Sequence, residues 1–168
     1  MKESSNNVLL EELDKNGVFR ITLNDPKNKN ALSNKMISAL VNTFENAIES
    51  EKIKVIVIAS TSNVFCSGHD LKELKSIYDK NDNKKSFFLN LFKSCSNLMK
   101  LIVDCPKPVI AEINGIATAA GCQLVATCDL AIASETSSFA TPGVNIGLFC
   151  STPMVALSRN VSKKDSMR

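Results

Sequence analysis

Two short segments of the sequence combine small residues with the start of a helical pattern, and both could bind an anion through backbone N–H groups. The first is Val64-Phe65-Cys66-Ser67-Gly68-His69-Asp70-Leu71 and the second is Thr118-Ala119-Ala120-Gly121-Cys122-Gln123. The N–H groups at a helix N-terminus have no partner within the helix. Two such groups aimed at one point form an oxyanion hole, which polarises a carbonyl and stabilises the anion formed from it. The two segments therefore favour acyl-thioester chemistry.

Strand and helix patterns alternate around both segments. A strand is predicted over residues 17–24, a helix after the N-cap Ser33, and a buried strand within residues 53–59, just before the first segment. A second long helix is predicted where an apolar stripe runs from Phe87 to Ile102. Further strands are predicted at residues 109–113 and 130–133, on either side of the second segment. This alternation indicates the α/β fold class.

Three runs of sequence resemble the successive core motifs of the enoyl-CoA hydratase/isomerase (crotonase) superfamily: FCSGHDLKEL, PVIAEINGIATAAGCQLVATCDLAIAS and SSFATPGVNIGLF. Within that superfamily the chain is most similar to the enoyl-CoA hydratase domain-containing protein 3 group. The resemblance covers roughly residues 17 to 160. It implies a crotonase-like spiral of ββα units over residues 17–168, after an N-terminal extension at residues 1–16. Since members typically run on for roughly another hundred residues, we expect the chain to lack the C-terminal helical region.

The resemblance also assigns roles within the two segments. The backbone N–H groups of His69 and Ala120 are implied to be the two oxyanion donors, and the His69 imidazole is either a participant or a side chain oriented by local hydrogen bonds. The implied substrate-binding positions are Lys29, Ala31, Ser67, Gly68, Asp70, Leu71 and Gly121. Asp70 also suits the N-cap of the following helix. Lys27, Lys29 and Lys72 are candidates for contacts with coenzyme A phosphates, although solvated surface lysines are common.

Two substitutions limit the chemistry that the resemblance implies. Hydratases of the superfamily use a pair of glutamates, and the corresponding positions here are Gln123 and Gly143. General acid–base catalysis contributes roughly 10²–10⁴-fold and needs a titratable group, so we predict weak or absent enoyl-CoA hydration. Polar groups expected near the acyl carbon are Gln123, Thr141, Asn145, Cys150 and the His69 side chain.

Three functions therefore stay open at the level of sequence. The first is an enoyl-CoA hydratase-like protein of fatty acid metabolism with a reduced catalytic set. The second is another acyl-CoA enzyme, such as a malonyl-type decarboxylase, which needs mainly an oxyanion hole. The third is a non-catalytic acyl-CoA-binding or subunit-interacting protein. Coenzyme A thioester is the expected substrate or ligand, with no further cofactor.

Composition disfavours several other classes of protein. The formal charge of +3 is spread along the chain, which argues against nucleic-acid binding. The six cysteines lack paired spacing, which favours reduced thiols over disulfides or a metal site. A Cys66–His69 nucleophile is disfavoured because the two residues flank a backbone turn.

The expected setting of the protein follows from the same observations. No apolar run is long enough to span a membrane, and residues 1–16 contain no arginine-rich transit peptide. The resemblance implies a mitochondrial protein, with the cytoplasm as the alternative. It also implies a homo-oligomer, a trimer or a dimer of trimers, when the chain has family length.

Overall fold

A computed structural model describes residues 7–80 and 84–166, and it forms two sheets with helices packed around them. The strands are β1 (Leu9–Leu13), β2 (Val18–Leu23), β3 (Val55–Ser60), β4 (Val64–Cys66), β5 (Val109–Ile113), β6 (Ile116–Thr118), β7 (Leu130–Ala133) and β8 (Ser138–Ala140). The helices are α1 (Asn34–Glu49), α2 (Leu71–Lys80), α3 (Lys84–Val103), α4 (Ala120–Thr127), α5 (Ser151–Asn160) and α6 (Lys163–Ser166). Short 3₁₀ turns occupy Pro26–Asn28 and Pro142–Ile146.

From β3 onward, consecutive strands alternate between two sheets: β3, β5 and β7 belong to one, and β4, β6 and β8 belong to the other. The five-stranded sheet has the order β1-β2-β3-β5-β7, and the three-stranded sheet has the order β4-β6-β8. β1 is antiparallel to β2, and all the other pairings are parallel. Each pair from β3 onward is followed by helix, so the predicted rhythm of ββα units and the α/β class are confirmed.

The hydrophobic patterns explain where the main elements form. β2 alternates buried Phe19, Ile21 and Leu23 with outward residues, as a half-covered strand should. β3 is buried along most of its length because its neighbours cover it on both sides. Helix α1 begins at the predicted N-cap, since the Ser33 hydroxyl accepts a hydrogen bond from the Met36 N–H at 3.2 Å. Its apolar face, with Leu40 and Phe44 fully buried, packs into the core.

Part of the predicted N-terminal extension belongs to the sheet. Residues 9–13 form β1, which pairs with β2 in a register that places Glu11 opposite Ile21. The Thr43 hydroxyl of α1 donates to the Glu11 carboxylate at 2.6 Å, which ties the strand to the helix beneath it. The domain boundary at residue 17 stays a prediction, but residues 9–13 pair with β2 along their whole length.

The last strands, β7 and β8, bury less apolar surface than β2 and β3 do. All residues of β7 and β8 are exposed, and Leu130 and Ile132 are 59% and 63% accessible. Further large apolar side chains are exposed after β8: Val144, Ile146, Leu148 and Phe149. Within the described residues, no helix has both the length and the apolar character needed to cross a membrane.

Candidate functional site

The first sequence segment forms a sharp turn between β4 and α2. Gly68 has φ +86°, a left-handed conformation that glycine adopts without steric cost. Asp70 then caps α2, because its Oδ1 accepts hydrogen bonds from the N–H groups of Lys72 at 2.9 Å and Glu73 at 3.1 Å. The N-cap role predicted for Asp70 is therefore observed. The His69 N–H therefore lies directly before the N-cap residue of α2.

The second segment makes the corresponding turn between β6 and α4 with an alanine. Ala119 has φ +51° and ψ −123°, which costs an L-residue about 1–3 kcal/mol. Its N–H donates to the Ala140 carbonyl of β8 at 2.9 Å. Gly121 then packs directly on β4, because a methyl group at this position would lie 2.1 Å from the Cys66 carbonyl oxygen. Only glycine permits this backbone contact.

The two turns touch each other. A methyl group at Gly68 would lie 3.1 Å from the Ala120 nitrogen and 2.9 Å from the Ala119 Cβ. The Thr118 hydroxyl also donates to the Ser67 carbonyl at 3.2 Å. Within residues 7–80 and 84–166, neither the His69 N–H nor the Ala120 N–H donates a hydrogen bond to another protein group. The fold thus brings two unpaired N–H groups to the same region, one directly before the N-cap of α2 and one at the first residue of α4.

A cavity of about 310 Å³ opens beside the first turn. Its walls contain most of the substrate-binding positions that the resemblance implied. The lining residues are Lys27, Asn28, Lys29, Ala31, Ser67, His69, Asp70, Leu71 and Lys72. The three lysines named as candidates for phosphate contacts therefore surround one cavity rather than lying scattered on the surface.

A buried asparagine holds the loop that forms one wall of this cavity. Asn30 is fully buried, with φ +50°. Its Oδ1 accepts from the Asp25 N–H at 2.7 Å, and its Nδ2 donates to the Val64 carbonyl at 2.8 Å. The wall is also bound to the first turn, since the Leu32 N–H donates to the Gly68 carbonyl at 2.8 Å.

The His69 imidazole lies between this wall and α3. Its ring makes an edge contact with Phe92, with 5.2 Å between the ring centroids. Burial lowers the pKa of His69 from its ordinary value of 6.5, while the Leu32 backbone and the Glu73 charge partly oppose this. Its Nδ1 is buried without a hydrogen-bond partner among the described residues. The imidazole is thus neutral at pH 7 and retains one unused nitrogen.

Gln123 and Gly143 are not among the residues that line the cavity beside His69. The Gln123 Oε1 accepts a hydrogen bond from the Thr152 hydroxyl at 2.9 Å, and its side chain lines a separate cavity of about 640 Å³ between α3, α4 and α5. Gly143 lies against the side chain of Cys150, since a methyl group there would be 2.6 Å from the Sγ atom. Thr141, Asn145 and Cys150 line a third cavity of about 530 Å³.

The cysteines are unpaired and mostly buried. Cys66, Cys95, Cys122 and Cys128 are buried, and Cys105 and Cys150 are half-buried. Burial raises the pKa of the Cys66 thiol to about 12, so this thiol stays protonated at neutral pH and is a poor partner for His69. Among the residues with described positions, no three histidine, cysteine, aspartate or glutamate side chains form a group that could hold a metal ion.

Two residues that shape the cavity received no role from the sequence. Asn30 binds the loop to β4, and Glu73 binds α2 to α1 through Asn34. A polar residue directly before the apolar pair Ala31-Leu32 could have drawn attention to Asn30, since asparagine adopts positive φ more readily than most residues. Nothing in the local sequence distinguishes Glu73 from a solvated glutamate, because its partner lies on another helix.

Comparisons with known proteins agree with the fold and the motifs. The family described as enoyl-CoA hydratase/isomerase matches residues 14–168. The enoyl-CoA hydratase domain-containing protein 3, mitochondrial, of Xenopus laevis is 52% identical over 148 residues, which cover 88% of this chain and 49% of that protein. The human protein of the same name is 50% identical over 148 residues, covering 88% of this chain and 47% of its own length.

A solved structure supports the same assignment. The crystal structure of human enoyl Coenzyme A hydratase domain-containing protein 3 superposes with a TM-score of 0.86 at 46% identity, and the match covers 96% of this chain and 61% of that one. The chain spans about half the length of the curated relatives described above. The resemblance found in the three sequence motifs is confirmed, and the chain belongs to the enoyl-CoA hydratase/isomerase family.

Proposed function

We propose that this chain binds an acyl-coenzyme A thioester and polarises its carbonyl with the N–H groups of His69 and Ala120. The observation that carries the proposal is the contact between Gly68 and Ala120, where a single methyl group would come within 3.1 Å of the Ala120 nitrogen. Two unpaired N–H groups at neighbouring helix ends can stabilise an oxyanion without a charged side chain. Family membership supports a thioester as the carbonyl compound.

The coenzyme A part of the ligand would lie in the 310 Å³ cavity. Lys27, Lys29 and Lys72 give the rim of this cavity a positive charge that suits phosphate groups. Ala31 and Ser67 line the same cavity, and we place the adenine base of coenzyme A beside these two small residues. In this arrangement the Oδ1 atom of Asp70 stays occupied as the cap of α2.

The reaction we propose is limited by the side chains available. Gln123 and Gly143 cannot take up a proton, and the Gln123 amide is already bound to Thr152. We therefore propose an enoyl-CoA hydratase-like protein in fatty acid metabolism whose hydration of a standard enoyl-CoA is weak. Loss of CO₂ from a malonyl-type thioester is the second candidate, because it generates the enolate directly and needs the oxyanion donors but no glutamate. The enolate left by the departing CO₂ would then take up a proton from solvent, so this step needs no proton acceptor on the protein.

The first experiment is incubation with crotonyl-, 3-enoyl-, malonyl- and methylmalonyl-CoA, followed by mass spectrometry of the products. Hydrated crotonyl-CoA at the rate of an efficient hydratase would contradict the limit set by Gln123 and Gly143. Saturable binding without product would favour a non-catalytic acyl-CoA-binding protein. An absence of both binding and turnover would refute the proposed function.

A substitution of Gly68 tests the site itself. Gly68→Val places a branched side chain against Ala119 and the Ala120 nitrogen, and we expect acyl-CoA binding to weaken by about 100-fold or more. The matched control is Gly147→Val, since Gly147 also has positive φ but no neighbour within 4 Å of its Cβ position. Equal affinity of the folded Gly68→Val protein and the wild type, measured by calorimetry, would exclude the assigned site.

The setting of the protein is proposed from its relatives. Relatives in Xenopus laevis and Homo sapiens carry mitochondrial names, and we propose the same compartment for this protein. We also propose that it functions as a homo-oligomer, a trimer or a dimer of trimers, which light scattering would test. The exposed apolar residues from Leu130 to Phe149 are the surface that such an assembly would cover.

A further inference from the structure

Glu73 lies in the first turn of α2 and binds the first residue of α1. Its Oε2 accepts a hydrogen bond from the Asn34 backbone N–H at 3.0 Å, and its Oε1 accepts one from the Asn34 side-chain amide at 2.9 Å. The carboxylate thus pairs one of the N–H groups that α1 leaves unsatisfied at its N-terminus. Its negative charge also interacts favourably with the dipole of α1.

Helix α2 has little else to hold it in place. From Leu71 to Asp79 no side chain is buried, and Leu71 and Tyr78 are 67% and 60% accessible. Leu74 is the member of this helix that packs against the core, and it is only partly buried. Because burial of apolar surface is the main force that anchors a helix, a polar contact carries an unusually large share of the attachment here.

The turn that Glu73 anchors is one wall of the candidate coenzyme A cavity. Residues 69–72 line that wall, and the loop of residues 27–31 lines the opposite one. Hydrogen bonds join the two walls at successive levels. The Ser67 N–H donates to the Lys29 carbonyl at 3.2 Å, and the Leu32 N–H donates to the Gly68 carbonyl at 2.8 Å. The Glu73–Asn34 contact adds a connection between α2 and α1, directly after the loop that forms the second wall.

We propose that Glu73 is a positioning residue for acyl-coenzyme A binding, which holds the first turn of α2 against α1 and so fixes the width of the cavity and the direction of the His69 N–H. The inference rests on the proposed function of the site. Glu73 acts through α2 and Asn34 rather than by contact with the ligand, because it is absent from the cavity lining. Its charge also reaches the His69 imidazole, where it opposes the effect of burial.

The test compares two substitutions of Glu73 by calorimetric titration with crotonyl-CoA. Glu73→Ala removes both hydrogen bonds, and we expect about tenfold weaker binding. Glu73→Gln keeps an oxygen that can accept the Asn34 N–H, so it should recover most of the affinity. The control is Glu45→Ala on α1, because the Glu45 side chain is exposed and makes no hydrogen bond within the described residues. The Glu45→Ala protein should bind crotonyl-CoA as tightly as the wild type does.

A second measurement uses the only histidine in the sequence. Nuclear magnetic resonance titration of His69 should show a lower pKa in Glu73→Ala and in Glu73→Gln than in the wild type, because both lose the nearby negative charge. Glu45→Ala should leave the His69 titration unchanged. An effect of Glu73 on helix propensity alone would leave the His69 pKa unchanged, because it would not require the carboxylate to lie near the imidazole.

Distinct outcomes separate the two proposals. Equal crotonyl-CoA affinity of Glu73→Ala and the wild type would overturn the positioning role, and so would a loss in Glu73→Gln as large as in Glu73→Ala. No binding by the wild type would overturn the proposed function instead. In that case hydrogen exchange at the amides of residues 69–73 tests whether the Glu73–Asn34 contact holds α2 against α1. Faster exchange in Glu73→Ala than in the wild type would support this attachment, and unchanged exchange would refute it.

Discussion

The two turns that present N–H groups reach the same geometry by different means. The first turn bends at Gly68, whose φ of +86° is free of steric cost, and leads into a helix that is capped by Asp70. The second bends at Ala119 with φ +51° and leads into a helix with no side-chain cap. The first turn is therefore placed by hydrogen bonds from its surroundings, while the second must be held by something that outweighs its strain.

Packing supplies that force for the second turn. Helix α4 is buried on most of its surface, from Ala120 to Val125, whereas α2 buries no side chain between Leu71 and Asp79. Burial of this kind stabilises α4 strongly enough to maintain an alanine in an unfavourable conformation. The comparison predicts that added side-chain volume destabilises the second turn most, whereas loss of hydrogen-bond partners destabilises the first turn most.

The largest effect is expected from a single added methyl group in α4. In Gly121→Ala the new Cβ would lie 2.1 Å from the Cys66 carbonyl oxygen, and both partners are backbone, so they cannot rotate away. We expect a loss of about 3 kcal/mol or more in the free energy of unfolding, measured by urea denaturation. Alanine normally stabilises a helix relative to glycine, so a more stable variant would contradict the close packing described here.

The next largest effect is expected at Asn30, beside the first turn. Asn30→Ala leaves the partly buried Asp25 N–H without its partner and removes one of the two side-chain donors to the Val64 carbonyl, at a cost of about 2 kcal/mol. Asn28→Ala is the matched control, because the exposed Asn28 amide binds only the Asp25 carboxylate and its loss should cost less than about 0.5 kcal/mol. Similar unfolding free energies for the two variants would show that polar partners do not hold this wall.

A smaller effect of opposite sign is expected at Ala119. Ala119→Gly relieves the strain of the positive φ, but glycine also has more conformational entropy in the unfolded chain, which opposes this gain. We expect a net increase of about 1 kcal/mol in the free energy of unfolding. Ala126→Gly on the same helix should instead lose about 1 kcal/mol. If thermal denaturation shows both variants to be less stable than the wild type, the second turn is not strained.

The final prediction concerns pH and applies only to the first turn, which carries the imidazole. Burial lowers the pKa of His69 below 6.5, so the unfolded chain binds the proton more readily than the folded one. The contribution of His69 to stability is therefore complete above pH 6.5 and is lost as the pH falls through the folded pKa. Urea denaturation should show a steeper loss on acidification in the wild type than in His69→Gln, and parallel profiles would contradict the burial effect.

Sequence periodicity predicted the long elements well. The Ser33 cap, the β-branched strand around Ile56 and the apolar stripe of α3 all reflect local physical preferences that a short window of residues contains. The Asp70 cap was predicted for the same reason, since the capping residue and the N–H groups that it binds lie within one turn.

Features that depend on distant partners were not predictable in this way. β4, β6 and β8 have three residues each, too few to show a period, and they form because they pair with one another across the fold. The Glu73–Asn34 contact joins residues 39 positions apart. The hydrogen bond that occupies the Gln123 Oε1 likewise comes from Thr152, which the motif itself does not contain.

The contact between Gly121 and the Cys66 carbonyl limits how far the two turns can move relative to each other. Because backbone meets backbone, the spacing of the two turns is set by atomic radii rather than by side-chain rotamers. A carbonyl held between them would experience a narrow distribution of electric fields, and its stretching band would be correspondingly sharp. Side chains elsewhere on α2 and α4 can then change without altering the distance on which the proposed polarisation of a carbonyl depends.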